Sequence, residues 1–212
     1  MENLKKYNLI PVTQEVLHEN LVEYSSPKDK LSSLTNQGVL LRLKRGLYSI
    51  PRTLTGKSLS RELIANHLRG PSYVSFESAL SYHRLIPERV YITKSATLKR
   101  KKTYSTPVGH FQYIHVPEYY YPIGLNLEII NNSYAYIIAS PEKALCDLIL
   151  GTSGLRLQSV KSAGEYLISD LRIDPDYIVN LNQNIIQECA TKGYKRTDID
   201  NLLKFINKLK YH

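Results

Sequence analysis

The first 57 residues show apolar positions at helical spacing, separated by helix-capping residues. Apolar side chains at positions 12, 16, 17 and 21 predict a short amphipathic helix over 12–21. Ser26 is suited to cap a second helix, Pro27 fits its first position, and Gly38 is placed to end it. The pattern therefore predicts a second helix over residues 27–37.

A basic hairpin is predicted directly after this second helix. Two apolar, β-prone runs, 39–43 and 47–50, are joined by the tripeptide Lys-Arg-Gly at 44–46, whose glycine can adopt a positive φ. Two helices followed by a basic hairpin is the order of a winged helix-turn-helix. We therefore expect a winged helix-turn-helix DNA-binding domain over residues 1–57.

Helical and strand patterns both occur in the rest of the chain, so a mixed α+β domain with a helical C-terminal tail is expected over residues 58–212. Ser75, Ser140 and Asp174 are candidate helix caps. Helices are predicted over 58–68, 76–85, 141–150, 159–170, 175–191 and 197–209, and strands over 90–92, 110–116, 125–130 and 134–138. The fold class is therefore α+β.

Positive charge is concentrated in the first half of the chain. The whole sequence has 28 basic and 19 acidic side chains. Residues 1–110 hold 18 of the basic and 8 of the acidic ones, whereas residues 111–212 are nearly balanced with 10 and 11. A basic surface attracts nucleic acid or an anionic membrane through counterion release and long-range steering.

Three groups of polar and basic side chains are candidates for DNA contact. Those on the second predicted helix can donate to base edges: Lys28, Lys30, Ser32, Ser33, Asn36 and Gln37. Those on the hairpin can neutralise phosphates or enter the minor groove: Arg42, Lys44 and Arg45. The alternative is a small α/β surface on which these charges are merely solvated.

The third group is the densest cationic run of the chain, Lys99, Arg100, Lys101 and Lys102. A short charge run in a loop is usually a solvated tip. The functional alternatives are a second phosphate contact beside the hairpin and a docking patch for an acidic partner such as RNA.

Four ordered segments resemble one protein family. LSSLTNQGVLLRLKRGLYSIP (31–51) resembles the winged-helix segment of the AbiEi family, the predicted transcriptional regulators of abortive-infection type IV toxin–antitoxin systems. VSFESALSYHRLIPE (74–88), TPVGHFQYIHVP (106–117) and IASPEKALCDLI (138–149) are similar to later segments of the same family. From about residue 160 onward the chain matches no family pattern.

The resemblance implies an antitoxin of viral defence that represses its own promoter and antagonises a partner toxin, typically a nucleotidyltransferase encoded beside it. Direct contact with that toxin is left open. Because many winged-helix repressors bind inverted repeats, two copies are expected on an operator in double-stranded DNA, as a homodimer or as paired monomers.

The sequence offers little support for catalysis, and neither cofactor nor metal is expected. No two histidines have the i,i+4 spacing of a helical zinc site, and the common hydrolase and nucleotide-binding motifs do not occur. Glu77 with His83, and Glu142 with Asp147 and Lys143, are weak acid–base or nuclease candidates. A nucleic-acid-processing enzyme and a protein-binding module without DNA binding therefore remain the alternative functions.

The cellular compartment of the protein is inferred from the apolar content of the chain and the placement of its cysteines. No stretch approaches the roughly 18 apolar residues of a membrane span, and residues 1–7 lack the apolar run of a signal peptide. Cys146 and Cys189 are far apart among apolar residues, which predicts buried free thiols and no disulfide framework. We expect a cytoplasmic protein with no membrane partner.

Overall fold

The computed structural model describes Tyr7 and residues 9–211, and it confirms an α+β chain that contains two sheets. Residues 1–6 and 8 of the predicted first domain lie outside the described residues. The N-terminal elements are β1 (Val12–Thr13), α1 (Gln14–Glu19), α2 (Pro27–Asn36), β2 (Leu41–Lys44), β3 (Leu47–Ser49) and α3 (Arg52–Thr55).

The second part of the chain alternates strands and helices before it ends in helices only, as predicted. Its elements are α4 (Arg61–Leu68), β4 (Ser72–Val74), α5 (Phe76–Tyr82), β5 (Ile92–Thr97), β6 (Lys102–Thr106), β7 (Gly109–His115), β8 (Leu125–Ile130), β9 (Tyr134–Ala139), α6 (Pro141–Gly151), α7 (Val160–Glu165), a π-helix (Tyr166–Asp170), α8 (Pro175–Val179), α9 (Gln183–Lys192) and α10 (Arg196–Lys210).

Helix caps explain where several helices begin. The side chains of Ser26, Ser140 and Asp174 accept hydrogen bonds from backbone N–H groups in the first turns of α2, α6 and α8. Ser75 occupies the predicted N-cap position of α5, but its side chain does not cap the helix, because its hydroxyl donates to Asp147 Oδ2 at 2.6 Å. Ser75 is fully buried, so the carboxylate supplies the acceptor that water cannot.

A small apolar cluster holds the N-terminal elements together. Strands β1, β3 and β2 form an antiparallel sheet in that order, and Gly46 turns the β2–β3 hairpin with φ +78°. The sheet packs on α1 and α2 through the buried residues Val12, Leu17, Leu21, Leu31, Leu34, Leu40, Tyr48 and Ile50.

A six-stranded mixed sheet organises the rest, with strand order β6-β7-β5-β4-β9-β8. Tyr113 of β7 is opposite Ser95, whereas Tyr73 of β4 is opposite the next residue of β5, so the two tyrosines point to opposite faces. The Tyr113 hydroxyl donates to the Ala65 carbonyl of α4 at 2.6 Å. Lys143 of α6 lies over the Tyr73 ring. Helices α4 and α6 therefore cover opposite faces of the sheet.

Three differences from the predicted elements have local causes. The helix predicted over 175–191 is two helices, because the Asn182 side chain caps α9 by accepting from a backbone N–H. The strand predicted over 90–92 begins at Ile92 instead. Strands β1, β4 and β6 were not predicted. Strand β1 takes the first two residues of the helix predicted over 12–21, β4 has only three residues, and β6 is a mostly polar strand at the sheet edge.

Gly124 lies at the start of β8, where α6 and α9 pack closely around it, and a substitution there tests this packing. Its φ is +57°, and an added Cβ would lie 2.9 Å from both the Ile185 and the Lys143 side chains. We expect Gly124→Ala to lower the free energy of unfolding by about 2–4 kcal/mol in urea. Gly154→Ala is the matched control, because φ is +79° there but no atom lies within 4 Å. Equal losses in both variants would contradict the packing.

Candidate nucleic-acid interface

Helix α2 presents a line of exposed polar side chains. Lys28, Ser32 and Asn36 are spaced i,i+4, so they lie along one side of the helix, and all three are exposed. Leu31 and Leu34 on the opposite side are buried in the small core. The apolar contacts of α2 therefore fix the orientation of the polar line.

The other predicted contacts of α2 are partly occupied by local interactions. Gln37 is exposed, and its Nε2 donates to Ser33 Oγ at 3.1 Å. The half-buried Lys30 places its Nζ 4.6 Å from the centre of the Tyr24 ring. Lys28, Ser32 and Asn36 share one exposed line, in which the Ser32 hydroxyl also makes a local bond by donating to the Lys28 carbonyl at 3.1 Å.

The hairpin separates its three predicted cations. Arg42 and Arg45 are exposed, as a phosphate contact requires. Lys44 is half-buried and donates from Nζ to the Leu68 carbonyl at 2.6 Å. This bond holds the hairpin against the end of α4, so the structure gives Lys44 a role as an anchor that the sequence did not predict.

Apolar packing supports the same attachment. The hairpin residues Leu43 and Leu47 are buried in the large core of the second part of the chain rather than in the small N-terminal cluster. The hairpin is therefore shared between the two parts. The boundary predicted at residue 57 stays a prediction.

The Lys99–Lys102 run lies beside the hairpin. Arg69, which follows Leu68, donates from Nη2 to the Arg100 carbonyl at 2.7 Å, and β2 packs against β6. All four side chains of the run are exposed. Lys44, Arg69 and the run consequently form one stretch of positive surface next to Arg42 and Arg45. We call Arg42, Arg45 and the Lys99–Lys102 run together the basic strip.

No carboxylate neutralises the basic strip within the part of the chain that the structure describes, since none of the ion pairs there includes one of its members. His67 of α4 lies near Lys44, beside the basic strip. Desolvation, and secondly the ammonium of Lys44, lower the pKa of the His67 imidazole. Such a surface favours an anionic partner.

The candidate catalytic residues have separate structural partners. Glu77 forms an ion pair with Lys94 at 2.6 Å, whereas His83 Nε2 lies 2.9 Å from the Ala139 carbonyl. Glu142 is buried and accepts from the Asn182 backbone N–H at 2.9 Å. The interactions of these residues are therefore those of helix ends and packing contacts.

The sequence singled out Lys143 and Asp147 only as nuclease candidates, and the buried ionic cluster that they form in α6 was not predicted. Lys143 and Asp147 are fully buried and 3.3 Å apart. Lys143 Nζ also donates to the Tyr120 carbonyl at 2.9 Å and lies 3.0 Å from the centre of its ring. Burial raises the pKa of the Tyr120 hydroxyl. The i,i+4 spacing of opposite charges on an otherwise apolar helix was the available signal.

Both cysteines are buried and free, as predicted. Within the described ranges, Tyr7 and 9–211, no group of three or more His, Cys, Asp or Glu side chains is placed to hold a metal ion. In the same ranges no helix has the length and apolar content needed to cross a bilayer.

No family model matches the chain, and no curated protein is significantly similar to it. The geometry of α2, the hairpin and the Lys99–Lys102 run is therefore the basis for a functional assignment.

Proposed function

We propose that this protein is a non-catalytic, DNA-binding transcriptional regulator whose N-terminal part is a winged helix-turn-helix domain. One observation carries the proposal. The basic strip, free of carboxylate partners in the described structure, includes the exposed arginines of the hairpin, and this hairpin follows a helix with an exposed polar line. Phosphate neutralisation by Arg and Lys supplies the affinity of such proteins, and helix side chains supply the specificity.

Each part of this surface has a distinct role in the proposal. Helix α2 enters the major groove, where Lys28 and Asn36 donate to base edges and Ser32, whose hydroxyl donates to the Lys28 carbonyl, accepts from them. Arg42 and Arg45 contact the backbone or the adjacent minor groove. The Lys99–Lys102 run contacts phosphates further along, so the duplex site is longer than one that the first 57 residues alone would cover.

The resemblance to AbiEi regulators extends the proposal to an antitoxin of a type IV toxin–antitoxin system in the cytoplasm. The protein would repress its own operon and antagonise a nucleotidyltransferase-type toxin. Co-expression with the neighbouring reading frame tests this part. Growth arrest by the neighbour alone, relieved by this chain, is expected, and growth arrest that this chain does not relieve would contradict it.

Asn36 tests the assignment of α2 to base reading. Fluorescence anisotropy compares a duplex from upstream of the reading frame with a scrambled duplex. We expect Asn36→Ala to reduce the affinity ratio by about 5- to 100-fold, because an amide paired with adenine is worth roughly 1–3 kcal/mol of discrimination. Asn184→Ala on α9, also exposed, is the matched control. If Asn36→Ala left the ratio of the two affinities unchanged, the proposal that α2 reads bases would be contradicted.

A further inference from the structure

Strand β8 is an open edge of the large sheet with an apolar surface. It is the last strand in the order β6-β7-β5-β4-β9-β8. On the inner side of β9, where β4 ends, the Asn66 side chain accepts from Ile137 N and donates to its carbonyl. Among the described strands, none pairs with the backbone groups on the outer side of β8.

Aliphatic side chains cover one face at this edge. Leu127 is 63% exposed, Ile129 61% and Ile137 37%. Leu127 is opposite Ile137, and Ile129 is opposite Ala135, so all four side chains lie on the same face. Long apolar edge strands are normally protected by charge, proline or a covering element, because they pair readily with another strand.

The two edges of the sheet differ in this protection. Edge strand β6 begins at Lys102, and β2 packs against it. The β8–β9 segment, residues 125–139, contains one charged side chain, Glu128, in a chain with a net charge of +9. Among the edges, β8 is therefore the one that a second positively charged copy can approach without strong repulsion.

We propose that β8 pairs antiparallel with β8 of a second copy of this chain about a two-fold axis. The pairing joins two six-stranded sheets into one of twelve strands. Such an isologous interface uses the same surface of both copies, so this surface must be complementary to itself. An antiparallel pair of identical β8 strands fulfils this requirement.

The register follows from the side chains. With Leu127 opposite Leu127 of the second copy, Leu125 lies opposite Ile129, and Asn126 lies opposite Glu128. The Asn126 amide of each copy can then donate to the Glu128 carboxylate of the other copy. Because of the two-fold symmetry this hydrogen bond forms twice, once on each side of the axis. Shifting the register by two residues would place Glu128 opposite Glu128, which like-charge repulsion disfavours.

The dimer also has a geometric consequence, and this part alone rests on the proposed DNA binding. Twelve strands at about 4.8 Å spacing place the two β6 strands on the order of 50 Å apart along the sheet. The two basic strips lie at these outer ends, so the half-sites in an operator should be separated by more than one helical turn, which is about 34 Å.

Sedimentation velocity of the full chain over a concentration series tests the pairing without DNA. Wild type is expected to shift from monomer toward dimer as concentration rises. Leu127→Lys should remain a monomer, because two ammonium groups would meet at the axis. Val22→Lys is the matched control, since Val22 is 72% exposed elsewhere. Leu127 is mostly exposed, so far-UV circular dichroism should show all variants folded.

Asn126→Lys tests the register. It places an ammonium opposite Glu128 of the second copy and should tighten the dimer by about three- to tenfold. Weaker or unchanged association in this variant would contradict the register. A wild-type chain that is monomeric up to millimolar concentration would overturn the pairing, even if it binds duplex DNA. A dimer that fails to bind DNA would contradict the proposed function and leave the pairing standing.

Discussion

Asp147→Asn is expected to lower the free energy of unfolding by about 3–5 kcal/mol, because it leaves the ammonium of Lys143 buried without a counter-charge. Both side chains are fully buried, and they lie 3.3 Å apart in α6. The amide can still accept the hydrogen bond from Ser75, so the substitution removes the charge with little change in shape. Urea unfolding followed by circular dichroism measures the loss.

Two comparisons isolate the buried charge as the cause. In the exposed i,i+4 pair of Lys161 and Glu165, 3.7 Å apart, Glu165→Gln should cost about 0.5 kcal/mol or less. The double variant Lys143→Met/Asp147→Asn should recover most of the stability, since it removes both buried charges together and leaves no uncompensated ammonium. If the double variant were as unstable as Asp147→Asn, the uncompensated ammonium would not be the cause.

Arg42→Ala/Arg45→Ala is expected to weaken binding about equally on all duplex sequences and to reduce the salt slope by up to roughly two units, because each phosphate contact contributes about 0.9. Lys44 is left unchanged because its ammonium donates to the Leu68 carbonyl. Its substitution would also weaken the attachment of the hairpin to α4. Fluorescence anisotropy at a series of salt concentrations gives the slope.

The Lys99–Lys102 run is tested by a separate variant with all four residues changed to Ala. Contact with phosphates predicts a further decrease in slope of up to roughly three to four units. Lys204→Ala/Lys208→Ala on α10 is the control for a loss of charge away from the basic strip, since both are exposed on the C-terminal helix. A fall in slope as large in the control as in Arg42→Ala/Arg45→Ala would mean that net charge, not this surface, determines binding.

Local signals in the sequence predicted the elements that cap and turn residues define. Ser26, Pro27 and Gly38 delimited α2 to within one residue, and the Lys-Arg-Gly tripeptide at 44–46 located the hairpin turn. These signals are local because the hydrogen bonds and φ angles involved lie within a few residues. The exposed line of Lys28, Ser32 and Asn36 follows directly from helical spacing.

Contacts between distant residues were not predictable from periodicity. Lys44 meets the Leu68 carbonyl across 24 residues, and Ser75 meets Asp147 across 72. In each case a local pattern suggested another role, a phosphate contact for Lys44 and a cap for Ser75. Tertiary placement decided the outcome for Ser75, because a buried hydroxyl takes the acceptor that packing supplies.

The neighbourhood of the Lys99–Lys102 run shows the same limit. The sequence identified the run and offered contact beside the hairpin as one alternative, but nothing local indicated that Arg69 would bond to the Arg100 carbonyl. Strand β6, which brings the run beside β2, was not predicted, because its residues are mostly polar and show no alternation of apolar positions.

Backbone amide chemical shifts, mapped while a duplex from upstream of the reading frame is added, would show which segments bind DNA. We expect perturbations in α2, in the β2–β3 hairpin and in residues 99–102, which decrease together as salt is raised. The amides of α10 should stay unchanged. Perturbations confined to other surfaces, or none at low salt, would contradict the proposal that these three segments form one DNA-binding surface.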